Sequence, residues 1–190
     1  MKFKRLYLRL SQTDILKASK RYHFDEHQKL FYEIYKKLVK QIQPVLYYNY
    51  EYFDRNRMIG IISLGTAPDS FIDRYQHQER FLEAYAVDCL SLELLSCSYK
   101  QLKEIVYREQ RQFLENMHFC DTEELIALIP KLKQSWSSFP ITVNDSGALL
   151  PSKTVVFYGY LGRQTCSFEH ACETCSRQDC IFRATTGEAK

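Results

Sequence analysis

"VLYYNYEYFDRNRMIGIISLGTAPD", residues 45–69, is the stretch on which the fold turns. Its first nine residues are aromatic and dense in strand formers, "DRNR" is turn-like, and "MIGIISLGT" is a short apolar run of the kind that fills a buried strand. The two halves read as a hairpin or as neighbouring strands, residues 47–53 against 59–64. Pro68 and Asp69 then open a helix, because proline is tolerated in a first turn and an acid is favoured there.

Working upstream, apolar residues at Leu30, Phe31, Ile34, Leu38 and Ile42 keep helical spacing. The pattern predicts a helix over 25–43, capped by Asp25 and closed by Pro44. Downstream, a long helical stretch is interrupted near "YQHQE", residues 75–79. Its second part, 80–117, contains no breaker and carries a broad apolar face of Leu82, Tyr85, Ala86, Cys89, Leu92, Cys97 and Leu102. A shorter helix is expected over 122–136, with Asp121 or Thr122 as N-cap and acids in the first turn. "FPITVND" (139–145) and "KTVVFYGYLG" (153–162) are the last strand candidates, joined by "SGALLPS" (146–152). Helices and strands do not simply alternate. The expectation is an α+β fold, with a mixed or antiparallel sheet packed against long helices.

Composition bounds the function. The chain has 190 residues, 45% hydrophobic and 26% charged, enough to bury a core without staples. A net charge of +3 with interspersed signs, and no basic stripe carrying RNA-type glycine or aromatic motifs, argue against a nucleic-acid partner. Arg5 and Arg9 interrupt the apolar part of "MKFKRLYLRL" and no small-residue cleavage site follows, so it does not read as a signal peptide. No run approaches ~18 apolar residues, so no membrane partner is expected. A reducing, cytoplasmic location follows, where clustered cysteines hold metals more often than disulfides.

Four of the seven cysteines fall in "CSFEHACETCSRQDC", residues 166–180. Their spacing is Cys166-x5-Cys172-x2-Cys175-x4-Cys180. A two-residue gap lets one turn place two thiolates on the same centre. A compact run of four suits an iron–sulfur cluster wrapped by one loop. Structural zinc also fits, with His170 near enough to replace one thiolate, and redox thiols are the third option. The division is therefore residues 1–163 as one α+β domain and 164–190 as a cysteine-rich metal-binding tail. Cys89 and Cys97, among Leu and Ala on the long helix, read as small buried hydrophobes. Cys120 precedes a helix N-terminus, a place that lowers a thiol pKa. His23 and His27 are spaced i,i+4, but the Asp25 cap between them argues against a shared metal.

Two further segments carry polar chemistry. "LGTAPD", residues 64–69, is a glycine-bearing strand-to-helix turn; it lacks the phosphate-loop patterns and reads as a tight turn before an anion site. "PSK", residues 151–153, precedes a strand and offers Lys153 to an acidic group. The tyrosines of 47–53 could line a pocket, since each has an apolar face and a polar tip.

In order, these pieces resemble the activation domain of cobalamin-dependent methionine synthase, most closely its small free-standing relatives in anaerobic bacteria. "DILKASKRYHFDEHQKLFYEIYKKLVKQIQPVLYYNYEYF" is similar to their opening helix, proline and aromatic strand. "IISLGTAPDSFIDRYQHQERFLEAYAVDCLSLELL" is similar to their strand ending in a Leu-Gly turn and the helix after it. "ITVNDSGALLPSKTVVFYGYLG" resembles their Ile-Thr-Leu-x-Glu-Ser…Met-x-Pro-x-Lys-Ser-Val segment, and the tail ends "CIFR" as theirs does. The resemblance implies a protein that docks on a cobalamin-binding module and lets its oxidised cobalt be reduced and remethylated, here acting in trans. It also implies a cleft lined by residues 64–69 and 151–154, with Gly65, Thr66, Ser152 and Lys153 at the cofactor side. Glu93 matches the family's helix carboxylate that meets S-adenosylmethionine, and Asp145 of "VNDS" stands for the acid of Thr-Glu-Ser. One departure matters. The family's Arg-x-x-x-Gly-Tyr stretch, which embraces S-adenosylmethionine, is replaced by "NMHFCDTEELIALIPKLKQSWSSF" (116–139), which has no glycine. Fold and docking role therefore carry over better than S-adenosylmethionine binding does. The alternative expectation is a non-catalytic interaction module with a zinc knot.

Overall fold

The computed structural model describes residues 1–51, 56–136 and 139–164. It is a mixed α+β fold whose main sheet is antiparallel throughout. The elements run β1 (Lys2–Arg5), α1 (Gln12–Arg21), α2 (Gln28–Leu38), β2 (Val45–Tyr50), β3 (Arg57–Ser63), α3 (Ala67–His77), α4 (Phe81–Gln110), β4 (Phe113–Phe119), α5 (Thr122–Ser135), β5 (Thr142–Val143), β6 (Leu149–Leu150) and β7 (Thr154–Gly162). Five strands form the main sheet in the order β1-β2-β3-β7-β4, and β5 pairs only with β6.

The decisive stretch forms the expected antiparallel pair, with Tyr47 opposite Ile61 and Val45 opposite Ser63. Alternation then sorts side chains between two layers. Leu46, Tyr48, Met58, Ile62 and Phe157 enter the core shared with α1 to α4. Tyr47, Ile61 and Val156 face the other way, under α5, Phe139 and Ile141. Gly60 is demanded by its cross-strand partner: a Cβ there would sit 2.2 Å from the Phe157 ring.

Four expectations are corrected. The helix over 80–117 ends at Gln110, and "FLENMHF" is the edge strand β4. Arg111 turns the chain in the left-handed region (φ 56°), and Leu114 and Met117 then bury against the sheet. Cross-strand burial outweighs the helix propensity of Leu, Glu and Met. The helix expected from Asp25 starts at Gln28, after a single 3₁₀ turn (Asp25–His27), and no side chain caps it. That helix also stops at Leu38 rather than running on to Pro44. "FPITVND" contributes only Thr142–Val143, and "SGALLPS" holds its partner β6, so the last two candidates do not pair with one another. The segment "KFKR", to which the sequence reading gave no element, is the edge strand β1. Lys2 and Lys4 reach Glu109 of α4, and Glu109 also accepts from the Tyr48 hydroxyl at 2.7 Å.

The N-cap of α5 is Asp121, with a reciprocal box: Glu124 N–H donates to Asp121 at 2.9 Å and Asp121 N–H to Glu124 at 3.0 Å. Among the described residues no helix is long and apolar enough to cross a membrane.

Candidate functional site

The turn after β3 and the approach to β7 are the two segments expected to line a cleft, and they meet. Leu64 N–H donates to the Lys153 carbonyl at 3.0 Å, which extends the β3–β7 ladder past its last paired residues. Gly65 takes φ +79°, which L side chains rarely adopt, and its N–H donates to Ser63 Oγ at 3.1 Å. The buried Thr154 hydroxyl donates to the same Ser63 oxygen at 2.9 Å. Asp69, in the first turn of α3, accepts from the Ser152 N–H at 2.9 Å and from the Ser152 hydroxyl.

Beside these contacts lies a groove of about 460 Å³ whose lining includes Tyr47, Gly65, Thr66, Asp69, Leu150 and Pro151. Its lining residues include the carboxylates of Asp69 and Asp73 and no cation. Such a groove favours a neutral or cationic group and repels an anion, in keeping with "LGTAPD" as a tight turn.

Lys153 does not open onto this groove. Its ammonium pairs with Asp88 of α4, and the pair is largely shielded, with 15% and 27% of the two side chains exposed. A lysine beside a turn is ordinarily solvated; here α4 supplies a carboxylate that the local sequence could not announce. Glu93 lies apart, in the helical layer, where it accepts from Arg21 at 2.6 Å and from the Tyr22 hydroxyl at 3.0 Å. Burial first, and then the Glu93 charge, push the Tyr22 phenol well above its ordinary range. Asp145 is exposed in the turn between β5 and β6, where Asn144 accepts from Ser146 and Ala148. The structure thus puts Gly65 and Thr66 on the groove lining, ties Ser152 to the lining residue Asp69, pairs Lys153 with Asp88, and leaves Ser152, Lys153, Glu93 and Asp145 outside the residues lining the groove.

The cysteines divide. Cys166, Cys172, Cys175 and Cys180, with His170, lie outside the described residues, as do Tyr52, Phe53, Asp54 and Arg55. Among the described residues no cluster of three or more His, Cys, Asp or Glu is placed to hold a metal. Cys89 is fully buried, and burial pushes its thiol up to about 12. Cys97 Sγ donates to the Arg9 carbonyl at 3.6 Å. For Cys120 burial raises the thiol to about 12, and the carboxylates of Glu124 and Asp121 add to the rise, so its place before a helix does not make it reactive. Burial is the larger cause, and the acids that cap α5 act in the same direction.

Two groupings escaped the sequence reading. Arg57 stacks over the Tyr158 ring at 4.3 Å, and His118 lies parallel to that ring on its other strand neighbour at 6.5 Å. The Ser63–Thr154 hydroxyl pair is buried between strands 91 residues apart. Only the strand register, which local sequence does not fix, makes these partners neighbours. A scan against protein-family models finds none that matches the chain, and a search of curated proteins finds no match.

Proposed function

We propose that this protein is an accessory factor for the reductive activation of a cobalamin-dependent methyltransferase such as methionine synthase, acting in trans on an activation-domain-like scaffold. The observation that carries the reading is the groove itself. Residues 64–69 and 151–154, the two segments that the resemblance puts on one cleft, meet through Asp69–Ser152 and Leu64–Lys153. In this reading the partner carries the cobalamin, and the groove face is the side that meets it. S-adenosylmethionine is left out: the candidate carboxylate Glu93 is already taken by Arg21 and Tyr22.

Cys166, Cys172, Cys175 and Cys180 would hold an iron–sulfur cluster, which passes single electrons when bound. The chain's own part is to dock and to bring that tail to the partner. The second reading keeps the scaffold as a binding module and makes the same four thiolates a structural zinc knot; the donor set of four thiolates favours it equally. Anaerobic purification followed by an absorption spectrum and metal analysis separates the two. Iron with sulfide and a broad band near ~400 nm supports the redox reading. Stoichiometric zinc without colour replaces it with the binding module, and a metal-free tail removes both.

A further inference from the structure

A second groove, of about 720 Å³, lies between the N-terminal segment and the chain joining α2 to β2. Along residues 3–9 burial alternates. Leu6 and Leu8 are 4% exposed, while Phe3, Arg5, Tyr7 and Arg9 project outward. Aromatic and cationic side chains therefore alternate on one side of the chain through the end of β1 and the segment after it. Lys40 faces them from beyond α2, and Tyr47 packs on Phe3 with ring centroids 5.4 Å apart. The groove lining holds three cations and no carboxylate, and among the described residues Arg5, Arg9 and Lys40 make no ion pair.

The backbone beneath this comb is pinned from several directions. Leu6 N–H donates to the Pro44 carbonyl at 2.9 Å. Gln101 of α4 clamps Tyr7, accepting from its N–H at 3.1 Å and donating to its carbonyl. The Arg9 carbonyl accepts from Cys97, and Leu10 N–H donates to the Tyr35 hydroxyl at 2.9 Å. Yet Tyr7 is 83% exposed. A large apolar ring held out on a pinned backbone, between two guanidinium groups without an ion pair among the described residues, leaves only side-chain ordering to be met when a ligand arrives.

We propose that this groove binds a free nucleotide, its base stacked on Tyr7 and its phosphate held among Arg5, Arg9 and Lys40. The ring supplies a sequence-tolerant stacking face and the arginines supply forked donors for phosphate oxygens. A recess of this volume, with only three cations, suits one small ligand better than the long track a nucleic-acid strand requires. The inference is independent of the corrinoid reading.

The test is calorimetric titration of the full chain, at low ionic strength, with AMP, adenosine, inorganic phosphate and a twelve-residue oligoadenylate. AMP should bind saturably and more tightly than either adenosine or phosphate alone. Tyr7→Ala should weaken AMP about tenfold while leaving phosphate unchanged, and Tyr7→Phe should restore AMP binding. Arg5→Gln with Arg9→Gln should weaken both AMP and phosphate, by about tenfold or more. All three substituted positions are exposed, so circular dichroism should be unaltered. Absence of saturable AMP binding below about 1 mM overturns the proposal. So does AMP binding indifferent to Tyr7→Ala. Oligoadenylate binding far tighter than AMP would make the groove a strand platform instead, and equally rejects the free nucleotide.

Discussion

The carboxylate of Asp69 accepts both the N–H and the hydroxyl of Ser152, a residue 83 positions later, and so ties the start of α3 to the approach of β7. Asp69→Ala removes both acceptors and the acid at the helix N-terminus. Because the pair is solvent-exposed, the expected cost is about 1–2 kcal/mol in urea unfolding. Asp69→Asn should recover part of it, since its side-chain oxygen still accepts. A loss below a few tenths of a kcal/mol would mean that the two walls are held together elsewhere.

Glu93 is 8% exposed and serves both Arg21 and Tyr22. Glu93→Ala strands a phenol and leaves a partly covered guanidinium without its partner, at about 2–4 kcal/mol. Glu93→Gln keeps an acceptor for Tyr22 and should cost less. If the alanine variant were as stable as the parent, the carboxylate would be free for a ligand and its exclusion from the groove's chemistry would have to be withdrawn.

Burial alone would raise Glu109, but hydrogen bonds from Lys4, Tyr48 and Lys2 overcome it and hold the carboxyl near about 2, against 4.5 for a free glutamate. A depressed folded-state value stabilises the protein fully above the unfolded pKa, and the contribution fades as pH falls from about 4.5 toward 2. With both lysines reaching water, about 2 kcal/mol is expected after screening. Wild type should exceed Glu109→Gln by that amount at pH 6, and the gap should close in acid. A gap that is the same in acid and at pH 6 would contradict the Lys–Glu–Tyr cluster as its source.

Cys120 and Cys89 should be nearly inert thiols. Both stand near about 12 where an ordinary thiol stands at 9.0, so thiolate at pH 7.5 is depleted by roughly 10²–10³. Iodoacetamide should modify them slowly in the native protein and readily once it is unfolded in urea. Rapid native labelling of Cys120, read by peptide mass mapping, would restore the helix N-terminus as the dominant influence.

What the sequence made legible was what neighbouring residues enforce. Tyr47 against Ile61, the Asp121 cap, the burial of Cys89 and the Gly65 turn each follow from a period, a cap rule or a φ requirement. The misreadings share another cause. "FLENMHF" is helix-compatible in isolation and becomes a strand because β7 needs an edge partner. The sequence offers Lys153 to an acidic group, but only the fold shows that the acid is Asp88 of α4. The groove was legible as two segments, yet nothing local marked Asp69 as the group that joins them.

The account rests most heavily on reactivation in trans. An inactive, oxidised cobalamin methyltransferase would be incubated anaerobically with a chemical reductant, a methyl donor and this protein, and recovery of turnover followed with the cobalamin spectrum. Recovery that depends on the added protein, and that is lost with Cys172→Ser and Cys175→Ser, is the predicted result. Recovery equal with and without the protein, across several corrinoid methyltransferases, would contradict the proposed function.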